Sequence, residues 1–128
     1  MSKVKSSSKI TKPYRPLKKT RVAFAGLAYV LKYDISVTYK LLISVVLLAL
    51  SMWQGHNFNA ILLVIATGNV VSTELLNSSI ELLCDFHTTA YNPKIKVIKD
   101  VSALAVSASI VVWLLAVGVE LRALWLGV

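Results

Sequence analysis

The chain has little of what soluble enzymes commonly use for stability and catalysis. Its single cysteine, Cys84, cannot form an intrachain disulfide, and we expect it to act as a small apolar packing residue. Charged residues make up only 16% of the 128 residues, whereas apolar residues make up 56%. No P-loop, dinucleotide-binding glycine motif, zinc-ligand spacing or Ser-His-Asp order occurs. Any phosphate chemistry in this chain therefore has to be built from the faces of helices.

The apolar residues are concentrated in three long runs. A mean hydropathy of +0.69 is too high for an ordinary soluble domain of this size. Because a spanning helix needs roughly 20 mainly apolar residues, the sequence predicts three membrane spans, at about 37–53, 58–84 and 101–121. The short polar segment QGHNFN predicts an antiparallel hairpin between the first two spans. Asn92-Pro93 predicts a loop or helix boundary before the third.

The basic residues predict how the spans are oriented. Ten of the 14 Lys and Arg residues lie in the first forty positions, and Lys94, Lys96 and Lys99 lie around the second loop, whereas QGHNFN has none. By the positive-inside rule, the N-terminus and the second loop are cytoplasmic. The net charge of +8 is then explained by topology and by contact with anionic lipid, without nucleic-acid binding.

The segment before the first span has two parts. Residues 1–20 are basic and rich in serine, which predicts a disordered tail held near anionic lipid. They lack the apolar core of a signal peptide, so we do not expect them to be one. Residues 21–128 form the predicted membrane domain. From about Arg21 to Tyr33, apolar residues between Lys and Arg predict an amphipathic helix in the membrane interface. A simple extension of the first span fits the periodicity equally well. We predict an all-α membrane protein in which an N-terminal amphipathic surface helix precedes three transmembrane helices.

A polar stripe runs along the second predicted span, within VSTELLNSSIELLCDF. Glu74, Asn77, Glu81 and Asp85 share one helical face, and Ser78 lies beside them. A carboxylate near the centre of a bilayer costs roughly 2.5–3.5 kcal/mol unless it is paired, hydrated or bound to a cation. Three carboxylates on one stripe therefore predict a functional site. Hydrogen bonding between helices is the alternative explanation of the same stripe.

The motif E-x-x-N-S-x-x-E, from Glu74 to Glu81, is followed by Asp85 and then by Lys99-Asp100. Together these residues closely resemble the bacterial diacylglycerol kinase and undecaprenol kinase family of small trimeric membrane enzymes. The resemblance extends from about residue 25 to residue 119. It implies a homotrimer with shared active sites in the bacterial inner membrane. It also implies transfer of the γ-phosphoryl group of ATP, with Mg²⁺, to the hydroxyl of a membrane lipid alcohol.

The same resemblance implies a role for each residue of the motif. Glu74 matches the general base that takes the proton from the lipid hydroxyl. Glu81 matches a magnesium ligand, and Asn77 matches a residue that holds the phosphates or the substrate. Lys99 matches the lysine that reaches the phosphates, and Asp100 matches its acidic neighbour near the nucleotide.

Asp34 occupies the place of a further metal-binding glutamate of the family, with the same charge and a side chain one methylene shorter. Ser78 and Asp85 are candidates for supporting roles. The segment after Asp34 departs from the family pattern. Relatives carry asparagine or alanine, then an aromatic residue and arginine, and the undecaprenol branch then has a histidine; this chain has Ser36, Val37, Thr38 and Lys40. The family arginine is therefore missing, and the region that selects the lipid is altered.

Two other kinds of function use similar residues. A small oligomeric ion-coupled transporter also needs intramembrane carboxylates, but we expect those near the midplane. Asp85, Lys99 and Asp100 are instead predicted at the cytoplasmic rim, as an enzyme that uses a soluble nucleotide requires. An inactive kinase-like subunit is the second alternative, and the altered segment after Asp34 keeps it open. ATP hydrolysis with and without a lipid alcohol distinguishes all three.

Overall fold

The computed structural model describes residues 16–55 and 57–127. These residues form four helices: α1 (Pro16–Tyr33), α2 (Ile35–Gln54), α3 (Asn57–His87) and α4 (Pro93–Leu126). The described ranges contain no strand, and the predicted all-α fold, with one N-terminal helix before three long apolar helices, is confirmed. Most of the predicted N-terminal tail, residues 1–15, lies outside the described residues.

Asp34 separates the N-terminal helix from the first span. Its backbone is extended, with φ −117° and ψ 99°, and its Oδ1 accepts a hydrogen bond of 2.8 Å from the backbone N–H of Ser36. Asp34 is therefore the N-cap of α2, and a continuous extension of the first span is ruled out. In the described residues α1 runs from Pro16, which is earlier than the predicted start at about Arg21.

The two connections between the long helices are built from local capping contacts. Gly55 ends α2 with φ 81°, a left-handed conformation that glycine adopts without a steric penalty, and its N–H is directed at the carbonyls of Ser51 and Met52. Asn92 caps α4 by accepting a 2.9 Å hydrogen bond from the N–H of Lys94. Pro93 is the first residue of α4, so the predicted boundary at Asn92-Pro93 is confirmed.

All three long helices are long and apolar enough to cross a membrane. The predicted spans lie inside them, but α3 extends to His87 and α4 begins at Pro93, eight residues before the predicted third span. Hydropathy identifies the part of a helix that suits lipid, whereas capping decides where the helix begins. The 34 residues of α4 extend over about 51 Å, which exceeds the roughly 30 Å hydrocarbon core.

The three spans are joined at mid-height by a polar junction. The buried hydroxyls of Ser44 on α2 and Thr67 on α3 are hydrogen-bonded at 2.8 Å, and the indole Nε1–H of Trp113 on α4 donates to Ser44 at 2.9 Å. Trp113 also packs in the apolar core with Ala66 and Val70. Small residues let the helix backbones approach closely. The hydrogen bonds between these particular side chains then fix the register of the three helices.

Candidate functional site

The polar stripe of α3 lies in the half of the bundle that is remote from the α2–α3 turn. The pairs Ser44–Thr67 and Ser36–Glu74 show that α2 and α3 are antiparallel, so the start of α2 lies beside the second half of α3. Lys99 contacts Asp85, which brings the start of α4 to the same end of the bundle. Elements that are far apart in sequence therefore meet at one end of the bundle.

Three carboxylates of the predicted site line one cleft between α1, the start of α2 and α3. The cleft has a volume of about 220 Å³. Its lining consists of polar, aromatic and apolar side chains: Tyr29, Val30, Tyr33, Asp34, Ser78, Glu81, Leu82 and Asp85. Ser78 Oγ lies 3.5 Å from Asp34 Oδ2, the outer limit of a hydrogen bond. The structure thus brings Asp34, Ser78, Glu81 and Asp85 together around one acidic cleft.

Asn77 lies beside this cleft and leaves one acceptor unused. Its Nδ2–H donates to Glu81 Oε1 at 2.9 Å, which orients the glutamate. Its Oδ1 is buried and has no hydrogen-bond partner in the described part of the chain. Buried polar atoms in proteins are nearly always satisfied, so an orphaned amide oxygen next to carboxylates is available to a ligand. Asn77 also lines an apolar groove of about 450 Å³ between α3 and α4.

Glu74 lies one turn deeper in the bundle and is 5% exposed. Ser36 Oγ donates to Glu74 Oε1 at 2.9 Å. Lys40, which is 1% exposed, forms an ion pair with the same oxygen and also donates to Ser36 Oγ. Glu74 is therefore paired inside the bundle and separated from the acidic cleft, although Asp34 and Ser36 connect the two through the cap of α2.

Lys99 and Asp100 lie at the polar end of the bundle but face in different directions. Lys99 Nζ donates to Asp85 Oδ1 at 2.5 Å, which places the ammonium group at the edge of the acidic cleft. Asp100 instead accepts from Lys96 at 2.6 Å, and both side chains of that pair are about 60% exposed. Successive helical residues point about 100° apart, so the motif Lys99-Asp100 brings only its lysine to the other predicted residues.

The chemistry of the donor set fits magnesium, the metal that the family resemblance implies. Asp34 and Glu81 offer carboxylate oxygens at one cleft, and the orphaned Oδ1 of Asn77 lies beside them. Within the described ranges, no group of three or more His, Cys, Asp or Glu side chains is close enough to enclose a metal. Mg²⁺ is usually held by one or two carboxylates together with substrate phosphates and water, so it requires no complete protein cage.

The pairing of Lys40 with Glu74 is not among the contacts that the sequence predicts, and in the sequence Lys40 is only part of the altered segment after Asp34. A signal did exist, because a lysine inside a membrane helix is expected to face the bundle interior and to pair with a carboxylate. Ser36 and Lys40 are also four residues apart, which places them on the same face of α2. The sequence alone did not show which carboxylate they meet.

Three long apolar helices with a shared polar end define a small integral membrane protein with an acidic site at one end of its bundle. A family model described as prokaryotic diacylglycerol kinase matches residues 21–121, which is most of the chain. The chain therefore belongs to the prokaryotic diacylglycerol kinase family, and membership indicates a lipid kinase. Comparisons with curated proteins and with solved structures found no match.

Proposed function

We propose that this protein is an ATP- and magnesium-dependent kinase that phosphorylates the hydroxyl of a membrane lipid alcohol, diacylglycerol or undecaprenol. The observation that carries the proposal is the convergence of Asp34, Glu81 and Asp85 with Lys99 at one end of a bundle whose sequence matches the family. Carboxylates that attract a cation, beside a lysine that attracts phosphate, are the groups that phosphoryl transfer requires.

Glu74 is the proposed general base. It would accept the proton of the lipid hydroxyl while that oxygen attacks the γ-phosphorus and the bond to the β-phosphate oxygen breaks, which releases ADP. Lys99 would contact the phosphates with its mobile ammonium group, and Asp85 would position that lysine. Asp100 is proposed near the nucleotide as a weaker contributor, because its carboxylate pairs with Lys96 on an exposed face.

Magnesium would be held by Asp34 and Glu81. When bound, it would neutralise charge on the triphosphate, as divalent cations do in phosphoryl transfer. Asn77 would hold the phosphates or the substrate, and its orphaned Oδ1 could accept a hydrogen bond from the substrate hydroxyl. Ser78 supports the site through its contact with Asp34.

The lipid alcohol would enter from the membrane through the apolar groove between α3 and α4. Its walls include Leu76, Val97 and Val101, and its polar edge includes Thr73 and Asn77. An acyl or polyprenyl chain suits such walls, whereas a hydroxyl suits the polar edge.

Several broader features belong to the same proposal. The protein would be a multi-pass protein of the bacterial inner membrane with its N-terminus in the cytoplasm, in agreement with its basic residues. It would act as a homotrimer with shared sites, so that two chains supply groups to each site. The basic N-terminus would contact anionic lipid.

A panel of lipid alcohols tests the proposal. Purified protein in detergent is incubated with γ-labelled ATP, with and without magnesium, and with diacylglycerol, undecaprenol or no lipid. We expect labelled lipid only when both magnesium and one of these alcohols are present. ATP hydrolysis that is independent of lipid would contradict the proposal, and the absence of both hydrolysis and transfer would favour an inactive subunit.

A further inference from the structure

Lys40 is among the largest fully buried side chains of the described bundle, and its position needs an explanation. An ammonium group inside a membrane helix is costly unless an anion compensates it. In the described part of the chain, Lys40 is the one cation that forms an ion pair with Glu74. The two charges therefore compensate each other inside the bundle.

Two donors, Lys40 and Ser36, are directed at one oxygen of Glu74. Lys40 Nζ and Ser36 Oγ both donate to Oε1, and Lys40 also donates to Ser36, so the three groups form a closed triangle. The second oxygen, Oε2, takes part in none of these three hydrogen bonds. A carboxylate held through one oxygen has a fixed plane, and its other oxygen points in a defined direction.

The other groups around the pair do not replace this cation. On α2, Asp34 is an anion and contacts Ser36 through the backbone. On α3, the next charged side chain is Glu81, about two turns away, with Asn77 between. From α4, the side chains that face this height of α3 include the hydroxyls of Ser102 and Ser109. Lys40 is thus the source of positive charge beside Glu74.

Resting on the proposed function, we infer that Lys40 is a positioning residue for the general base: it fixes Glu74 through Oε1 so that Oε2 accepts the proton of the lipid hydroxyl. The hydroxyl proton passes to Oε2 as the oxygen forms its bond to the γ-phosphorus, and the electron pair of the broken bond leaves with ADP. Lys40 lies in the segment that departs from the family pattern, so this support is a feature of this chain.

A double-mutant cycle tests the inference. The variants are Lys40→Met, Glu74→Gln and the two together, and Arg122→Met, which removes an exposed cation at the far end of α4, is the control. We measure kcat, KM for ATP and thermal unfolding in detergent. Lys40→Met should lower kcat by about 10- to 100-fold, because a misplaced catalytic group costs rates of this size. KM for ATP should stay near the wild-type value in Lys40→Met. In the Arg122→Met control, all three quantities should stay near wild-type values.

The cycle separates positioning from a purely structural role. Once Glu74→Gln has removed the base, adding Lys40→Met should change kcat little, since nothing remains to be positioned. The double variant should also unfold at a higher temperature than Lys40→Met alone, because it leaves no unpaired buried charge. If Lys40→Met does not fold, Lys40→Gln replaces it, because its polar side chain carries no charge and is one bond shorter than that of lysine, so it should not hold Oε1 in the same place.

The outcomes are distinguishable. Wild-type kcat in Lys40→Met or Lys40→Gln, or equal kcat losses from Lys40→Met with and without Glu74, would overturn the inference while the kinase assignment remains. A wild-type protein that phosphorylates no lipid alcohol would overturn the proposed function, and the inference with it. A loss of kcat that depends on Glu74 supports both.

Discussion

Two glutamates are buried in this bundle, and they differ in their hydrogen-bond partners. The junction formed by Ser44, Thr67 and Trp113 lies between them. Each glutamate lies about two helical turns, roughly 10 Å, from this junction, and the two lie on opposite sides of it. Glu74 receives hydrogen bonds from Ser36 and Lys40. Glu120 is fully buried, and neither of its carboxylate oxygens has a hydrogen-bond partner in the described residues.

This difference in hydrogen bonding follows the distribution of polar groups along the bundle. Five of its six acidic residues lie toward the end where Asp34 and Lys99 meet α3, and Glu120 is the sixth. A buried carboxylate that is paired and oriented can serve as a chemical group, whereas an unpartnered one mainly costs stability. We therefore expect substitutions of Glu74 to affect turnover and substitutions of Glu120 to affect stability.

The largest expected effect is that of Glu74→Gln. The amide keeps the shape of the side chain but cannot accept the proton, so we expect turnover to fall by about 10²–10⁴-fold. Lipid phosphorylation by the purified variant measures this loss, and size-exclusion chromatography checks that its assembly is unchanged. Near-normal turnover would remove Glu74 from the role of general base.

The next largest effects concern magnesium. Glu81→Ala and Asp34→Ala each remove an anionic oxygen from the acidic cleft, so both should nearly abolish magnesium-dependent turnover, with Glu81→Ala the more severe. A magnesium titration of the turnover rate measures the requirement in each variant. An unchanged titration curve for Asp34→Ala would show that this aspartate does not take the place of the family's glutamate.

A smaller effect is expected for Lys99→Ala. Loss of one charge-assisted hydrogen bond to phosphate should raise KM for ATP by about tenfold and leave KM for the lipid nearly unchanged. Steady-state kinetics with each substrate varied in turn measure both constants. Asp100→Ala should have a weaker effect on ATP, because Asp100 pairs with Lys96 on an exposed face. A defect confined to the lipid would contradict the assignment of Lys99 to the nucleotide.

The smallest effect on activity is expected for Glu120→Leu. Replacing an unpartnered buried carboxylate with an apolar side chain of similar size should stabilise the bundle by about 1–3 kcal/mol while turnover stays near wild type. The thermal unfolding midpoint in detergent measures the change. A lower midpoint would show that Glu120 contributes to stability through a contact outside the described residues.

Much of the fold could be predicted from the sequence, because its signals are local. Length and hydropathy identify three spans, and Asn92-Pro93 marks the start of α4. The cap at Asp34 was not predicted, although the sequence did predict a helix before the first span. Aspartate as an N-cap and aspartate as a metal ligand look alike in a sequence, and the structure shows the first role directly.

The site was predictable along α3 and much less so between helices. Helical spacing puts Glu74, Asn77, Glu81 and Asp85 on one face, but it does not show which side chains of α2 or α4 meet them. That depends on the register between helices, which the contacts of Ser44 fix here. The ion pair of Lys40 with Glu74 and the separation of Asp100 from Lys99 both follow from that register.

The comparison between the two buried glutamates is tested most directly by two isosteric variants in one assay. Glu74→Gln and Glu120→Gln are purified side by side, and the transfer of label from γ-labelled ATP to a lipid alcohol is measured at saturating magnesium. We predict that Glu120→Gln labels the lipid at nearly the wild-type rate and that Glu74→Gln labels almost none. Equal rates in the two variants would contradict the assignment of the catalytic base to the paired glutamate.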